Sequence, residues 1–485
     1  MGTSVTEPAV PAATAATTTT TTTASQSTAA TTANGDAAAI NGQDTGNDTL
    51  HAASSSGDDD TRRPVLIVGA GPSGLLLAQS LRRRGVPFRI FERDADFTTR
   101  GVGWGLTLNW ALPIMRELLP DGLGDPDSLR NMACVDRKAV EDGSVSRFPY
   151  YNLTTAERIT AAPPAPETAR LRVTRQRLRS LLASKLDIEW NMSFVSSEDH
   201  GDSITAHFEN GSAVEGSLLV ACDGAKSLLR REIFAQQDEK HMSALPIRML
   251  GAKLSCTPEE ISELLKMDPF FLHGTSSHDN SFGYFSVLDA PGNTEESTDN
   301  YLLQICISWL EQAGFRGQEE PTTMPETNKE RVELFKSIGS SWAEPFKSLA
   351  LKVRDDDEVK GLRLMDWVPP KDLRSKGRAV LMGDSLHVMT MFRGDGANHA
   401  LADVEDFDRH VAPQLVKTGT AMTTTAELRE ALSQYEASVI LRARPGVFAS
   451  RQAGHDAHDW DKMTAKSPLL TPRVKNLNFA EPVGS

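Results

Sequence analysis

The sequence predicts an α/β protein: a Rossmann-like domain interrupted by an inserted β-sheet domain. Three observations carry this. A strand, glycine loop, helix and second strand follow one another between Val65 and Glu92. Two more short apolar strands, Leu218 to Ala221 and Ala379 to Met382, each run into an Asp beside a Gly. Between them, residues 241–375 hold alternating and apolar runs suited to a sheet of their own.

The chain has 485 residues and a net charge of −14. Residues 1–60 contain no Lys or Arg and seven acids, so half of that charge lies in the leader. The leader is rich in Ala, Thr and Ser, with Thr17 to Thr23 all threonine. It lacks the apolar side chains that would offset its ordering entropy, so it is expected to be disordered. It has neither the basic and apolar regions of a secretory signal nor the Arg-rich character of a mitochondrial presequence, so a cytoplasmic location is expected. The mildly acidic remainder argues against nucleic-acid binding. No run of about 18 apolar residues suggests a transmembrane helix. Cys134, Cys222, Cys256 and Cys306 show no paired spacing, so reduced thiols are expected, and no metal site.

The opening unit has a mechanism at each position. Val65 to Val68 reads as a buried parallel strand. In the GxGxxG that follows, Gly69 permits a tight turn, Gly71 lets a pyrophosphate approach the backbone, and Gly74 lets helix and strand pack closely. The helix from Leu75 to Arg84 offers its N-terminus to phosphates. Arg82, Arg83 and Arg84 complement the helix dipole at its other end. Phe88 to Phe91 is the second strand, and Glu92 stands where an acid accepts the hydroxyls of an adenosine ribose. A carboxylate there disfavours a 2′-phosphate, so the bound dinucleotide is FAD or NAD.

The later motifs decide between these. Leu218 to Ala221 leads to Asp223-Gly224, then Ser227 and Arg230; Ala379 to Met382 leads to Gly383-Asp384, His387, and a helix start at Gly396-Ala397-Asn398. Together with GxGxxG, these motifs resemble those of the FAD-dependent aromatic hydroxylases, the single-component flavoprotein monooxygenases typified by para-hydroxybenzoate and salicylate hydroxylases. The resemblance spans about residues 62–450.

It implies a Rossmann-like FAD-binding domain with an inserted substrate-binding β-sheet domain. The FAD domain would be discontinuous (61–240 and 376–455), the substrate sheet would occupy 241–375, and 456–485 would form a polar C-terminal tail. It implies that Asp384 hydrogen-bonds the ribityl chain. Gly396, Ala397 and Asn398 would turn backbone N–H groups toward the flavin pyrimidine ring, where a helix N-terminus stabilises negative charge. Asp223 would serve flavin binding and nicotinamide use. Arg175 would reach toward FAD, and Gly103 would contact it from the stretch Arg100 to Asn109. Arg172 and Arg177 are nearby rivals for the role of Arg175, and otherwise read as surface charges.

The implied activity is hydroxylation or epoxidation of a small aromatic or polyketide-derived substrate through a flavin hydroperoxide. NADPH or NADH would be the transient reductant and O2 the oxidant. No catalytic residue is readable, because the cofactor carries the hard chemistry. His387 reads as structural rather than as a base. His455 and His458 read as parts of a solvated turn rather than metal ligands. Phe282, Tyr284 and Phe285 either face the substrate pocket or belong to ordinary sheet core, and Arg100 or Arg393 either binds an acidic substrate group or forms a surface or structural pair. The usual loop proline is replaced by Thr390-Met391-Phe392, which leaves that loop less fixed. The competing readings are a flavin-dependent halogenase or reductase on the same architecture, and a non-enzymatic dinucleotide-fold carrier. The halogenase WxWxIP segment is missing.

Overall fold

Segments scattered over 300 residues align to make one parallel sheet. Its strands, in spatial order, are Ala379–Leu381, Leu218–Ala221, Val65–Val68, Phe88–Phe91 and Ile188–Glu189. All four pairings are parallel. The computed structural model describes residues 62–99, 103–416 and 424–482. The Ala/Thr-rich leader and Arg100, with the expectations attached to them, lie outside the described residues.

The sheet forms where the sequence is continuously apolar. Val65, Leu66, Ile67, Leu218, Leu219, Val220 and Val380 have no exposed surface, as strands covered on both faces require. The helix Pro72–Arg83 covers one face, with Pro72 in its first turn, where the missing N–H costs nothing. The basic cluster at its end does more than complement a dipole. Arg82 donates to the carbonyls of Ser184 and Lys185, and Arg84 pairs with Asp408 at 2.5 Å.

A second, seven-stranded sheet stands apart from the first. Its spatial order is Lys360–Trp367, Met242–Cys256, Tyr301–Leu310, Phe282–Asp289, Phe271–Thr275, Tyr150–Asn152 and Arg158–Thr160. The last two strands come from upstream of residue 241. The two faces of this sheet do different work. Phe285, Val287, Leu303, Ile305 and Ile307 pack with Phe335, Ile338 and Phe346 of the helices Asn328–Gly339 and Phe346–Leu351. The first of these helices opens with a capping box, Thr327 with Glu330. The opposite face carries Phe282, Tyr284, Ser286, Gln304, Cys306 and Ser308, paired across neighbouring strands. It meets Trp104, Met391 and Phe392.

The three aromatic candidates therefore separate. Phe282 and Tyr284 face the nucleotide-domain side, whereas Phe285 points the other way and stacks on Phe346 with ring centroids 5.5 Å apart. Strand alternation is the reason: residues 284 and 285 must point to opposite faces.

A long helix, Thr425–Asp456, packs back on the nucleotide domain through Leu428, Leu432, Tyr435 and Val439. It ends in a turn that is not solvated. His458 is 2% exposed, with Nε2 2.8 Å from Ser308 Oγ and Nδ1 2.7 Å from the Gly454 carbonyl oxygen. Burial lowers its pKa to about 4, so the ring is neutral at physiological pH. The polar appearance of His455 to Asp459 concealed this, because the side-chain partner, Ser308, lies on the second sheet.

Candidate functional site

The three motifs meet at the carboxyl ends of three adjacent strands. Gly69 follows Val68, Asp223 follows the central strand Leu218–Ala221, and Asp384 follows Ala379–Leu381. Backbone bonds lace them together: Gly69 N–H to Phe91 O (2.7 Å), Cys222 N–H to Val68 O (2.7 Å) and Met382 N–H to Ala221 O (2.9 Å). In open α/β sheets this edge is where ligands bind.

At the glycine loop, Gly69 has φ +106°, and a side chain there would run into the Cys222 carbonyl. Gly74 is needed for close approach, since a Cβ would strike the Gly69 carbonyl. Above Gly71 there is open space. Glu92 is buried and closes on this loop. Its Oε2 accepts the Ala70 N–H at 2.9 Å and its Oε1 the Asp94 N–H at 3.2 Å. Arg179 donates to the Ala70 carbonyl at 2.8 Å and lies 3.7 Å from Glu92.

Asp384 sits on the floor of a cleft. Protein surrounds it, yet the residue itself is solvent-exposed. Burial in that surrounding raises its pKa, while the charges of His387 and Arg175 oppose the shift. Arg175 starts the helix Arg175–Leu182, held by its own N–H to the Trp104 carbonyl at 3.0 Å. Its Cβ would lie 3.3 Å from a Cβ on Gly103, so Gly103 and Arg175 adjoin. Arg230 ties the Asp-Gly segment to the Gly-Asp turn: it donates to Ala225 O (2.7 Å), Ser385 O (2.9 Å) and Asp384 O (3.3 Å). Its guanidinium lies over the Trp367 ring. Asp223 accepts the Leu228 N–H through Oδ2, and its buried Oδ1 has no partner among the described residues. Burial raises this carboxyl's pKa.

The helix Gly396–His410 begins beside the cleft. Asp395 is its N-cap, but the side chain makes no cap bond. It is diverted to Arg393 Nε at 3.0 Å and Trp110 Nε1 at 3.3 Å. The first N–H groups of the helix thus keep no side-chain acceptor. Asn398 is fully buried and stitches this start to the strand Gly105–Leu108. Its Oδ1 accepts the Asn109 N–H, and its Nδ2 donates to Thr107 O, both at 2.9 Å. Its amide is consumed in positioning, so only its backbone remains to face a ligand.

Several expectations need correction. Arg172 and Arg177 are not surface charges: Arg172 is 9% exposed, and Arg177 bonds to Asp289 and to the Cys134 carbonyl. Of the two readings of Arg393 the structural pair holds: it is taken by Asp395 and by the carbonyls of Pro468 and Pro472. Those contacts also fix the loop that lacks its proline, and with it the C-terminal segment, in which Leu469 has no exposed surface. Sequence reasoning missed Asp403, Arg442 and Arg179. The signal available for Asp403 and Arg442 was charge on the apolar face of a helix. All four cysteines are buried, and burial raises the Cys134 thiol to about 11, which suppresses reactivity. No helix among the described residues is long and apolar enough to cross a membrane.

Comparison with known proteins matches residues 62–282 to the FAD binding domain family. The Arthroderma benhamiae protein named "Probable FAD-dependent monooxygenase" is 37% identical over 421 residues, covering 84% of this chain and 95% of that one. The FAD-dependent monooxygenase tazP of Aspergillus terreus is 34% identical, covering 72% and 89%. The fold matches 2,6-dihydroxypyridine-3-hydroxylase of Arthrobacter nicotinovorans with a TM-score of 0.64 at 17% identity, covering 87% of this chain and all of that one. The cleft fits FAD on its own features: the partnerless Asp223 Oδ1, the open Asp384 carboxylate, the space above Gly71 and the uncapped helix start. With relatives this similar over nearly their whole length, the chain belongs to the FAD-dependent monooxygenases.

Proposed function

We propose that this enzyme uses NADPH or NADH and O2 to hydroxylate, or epoxidise, a small aromatic or polyketide-derived molecule in secondary-metabolite biosynthesis. The observation that carries the reading is Asp384, exposed although protein surrounds it and near enough to Arg175 to feel its charge, together with the uncapped start of Gly396–His410. Fungal relatives named as FAD-dependent monooxygenases support it.

In this reading Gly69, Gly71 and Gly74 form the pyrophosphate loop and Glu92 takes the adenosine ribose. Asp384 accepts hydroxyls of the ribityl chain, with Asp223 close by. Gly103 and Arg175 flank the cofactor. The N–H groups at Gly396, Ala397 and Asn398 stabilise negative charge that develops on the ring, because a helix start presents unpaired donors and a partial positive charge. Bound FAD supplies hydride acceptance and O2 activation. The protein orients the substrate on the sheet face of Phe282 and Tyr284 and excludes water.

Anaerobic stopped-flow reduction of the purified holoenzyme by NADH and by NADPH, with and without a panel of phenols, tests this. Substrate-stimulated bleaching of the flavin, followed by oxygenated product on readmitting O2, is the expected result. Flavin that neither nicotinamide reduces under any condition would remove the reading.

A further inference from the structure

The C-terminal segment runs extended along the helices Gly396–His410 and Thr425–Asp456. From residue 471 to 481 it alternates: Thr471, Arg473, Lys475, Leu477, Phe479 and Glu481 are half-buried, and the residues between them are exposed. Phe479 packs against Val368, Val447 and Phe448. Lys475 pairs with Glu405, and Glu481 with Arg444 at 2.8 Å. Arg473 is the inward residue that meets the loop leading into the cleft helix.

Two arginines clasp the segment and that loop together. Arg393 donates through Nη1 to the Pro468 carbonyl and to Thr471 Oγ1 (2.9 Å), and through Nη2 to the Pro472 carbonyl (3.2 Å). Arg473 works in the other direction: its Nε donates to the Arg393 carbonyl at 3.0 Å and its Nη1 to the Thr471 carbonyl at 2.7 Å. The carbonyl it holds belongs to the residue before Gly394. Gly394, with φ +64°, turns the chain into Asp395 and the helix start at Gly396.

The clasp also leaves a charge behind. Arg393 and Asp395 form a buried pair, Nε to Oδ2 at 3.0 Å, whose charges cancel. Arg473 spends its bonds on carbonyls and makes no ion pair among the described residues. Burial lowers its pKa only to about 10, so it stays protonated. A positive charge therefore remains beside the helix start after the pair has cancelled. Packed in protein, it is screened less than a surface charge. It acts in the same sense as the unpaired N–H groups of the helix.

We propose that Arg473 is a positioning residue of the flavin site: it holds the turn from Arg393 to Gly396 against the C-terminal segment and leaves the helix start with a net positive charge that favours reduced over oxidised flavin. That this charge reaches the flavin ring rests on the reading of Gly396, Ala397 and Asn398 as ring-facing.

The test measures the two-electron midpoint potential of the FAD-loaded enzyme, reduced slowly by xanthine and xanthine oxidase against a reference dye, with thermal unfolding alongside. Arg473→Met should lose about tenfold in preference for reduced flavin, a fall of about 30 mV. Arg473→Gln keeps a donor for the Arg393 carbonyl but no charge, and should show the same fall. Arg473→Lys keeps both and should restore most of it. If Arg473→Met does not fold or hold FAD, the Gln and Lys variants decide. A merely structural segment would lower the melting temperature without moving the potential. An unchanged potential in the Met and Gln variants, a fall in Met alone, or an equal fall in Lys overturns the proposal. The measurement needs bound flavin but no nicotinamide. A potential that does not move leaves the monooxygenase reading standing, and flavin that no nicotinamide reduces removes that reading while this result still decides on Arg473.

Discussion

Asp403 accepts a hydrogen bond from His387 Nε2 at 2.9 Å, and neither side chain has any exposed surface. The same Oδ2 accepts the Gly383 N–H at 2.7 Å, and Oδ1 takes Arg442 at 2.6 Å. Burial would raise this carboxyl's pKa, but the His387 and Arg442 partners outweigh it and hold the pKa low. The turn that aims Asp384 into the cleft is therefore fixed from beneath by an anion on another helix. Asp403→Ala should cost about 1–3 kcal/mol, since the buried Gly383 N–H loses its acceptor while Arg442 keeps Asp406 at 3.0 Å. Asp403→Asn should cost less but still loosen the turn. Denaturant midpoints of both variants check this, and equal midpoints for Ala and wild type would refute the bracing role.

Asp384 makes a contrasting prediction. Its carboxylate has no hydrogen bond to any donor among the described residues, and burial disfavours its charge. Asp384→Ala should weaken FAD binding by about 1–3 kcal/mol, roughly 5- to 150-fold, while leaving the FAD-free protein as stable as wild type. Flavin fluorescence titration of the apoprotein measures the first quantity and thermal unfolding the second. Unchanged affinity would count against its role at the ribityl chain.

The C-terminal segment should behave as part of the site. Arg393 precedes the helix start by three residues and is bonded to Pro468 O, Thr471 Oγ1 and Pro472 O. Lys475 reaches Glu405, and Glu481 pairs with Arg444 and Lys371. Deleting residues 465–485 should lower the melting temperature and reduce flavin retention on gel filtration several-fold. Full retention in the deleted form would show that the segment is dispensable.

His458 gives a pH dependence with a definite sign. Its folded pKa of about 4 lies below the ordinary 6.5. The unfolded chain therefore binds a proton between these values when the folded one does not. Its contribution is fully present above pH 6.5, declines as pH falls toward 4, and is then lost. The whole difference is about 3 kcal/mol. His458→Asn should flatten the slope of stability against pH in that window, as read from denaturant midpoints at pH 7.5, 6 and 5.

The nucleotide unit was legible in the sequence because its causes are local. Gly69 with positive φ, Gly74 against a carbonyl and Glu92 beside Ala70 all lie within one strand–helix–strand. The Asp-Gly and Gly-Asp motifs were legible because each follows a short apolar strand. What escaped depends on distant partners. His458 looked polar and proved buried because Ser308 lies 150 residues away in the chain. Arg172 looked like a surface charge because nothing near it in sequence shows Ser286. The helix Asn328–Gly339 had a local signal, Thr327 and Glu330 ahead of Val332, Phe335 and Ile338, inside a stretch read only for strands.

The parallel sheet has a consequence for how this chain is made. Strand Ala379–Leu381 pairs with Leu218–Ala221, and Asn398 closes on Asn109 across 289 residues of sequence. A ribosome that has finished the glycine loop must synthesise some 300 further residues before the opposite wall of the cleft exists. Until then Leu218–Ala221 is an unpaired apolar edge, the kind of feature that invites wrong partners. Cofactor capture must therefore be among the last events of biogenesis, and FAD supply should govern the yield of mature enzyme more than its early folding.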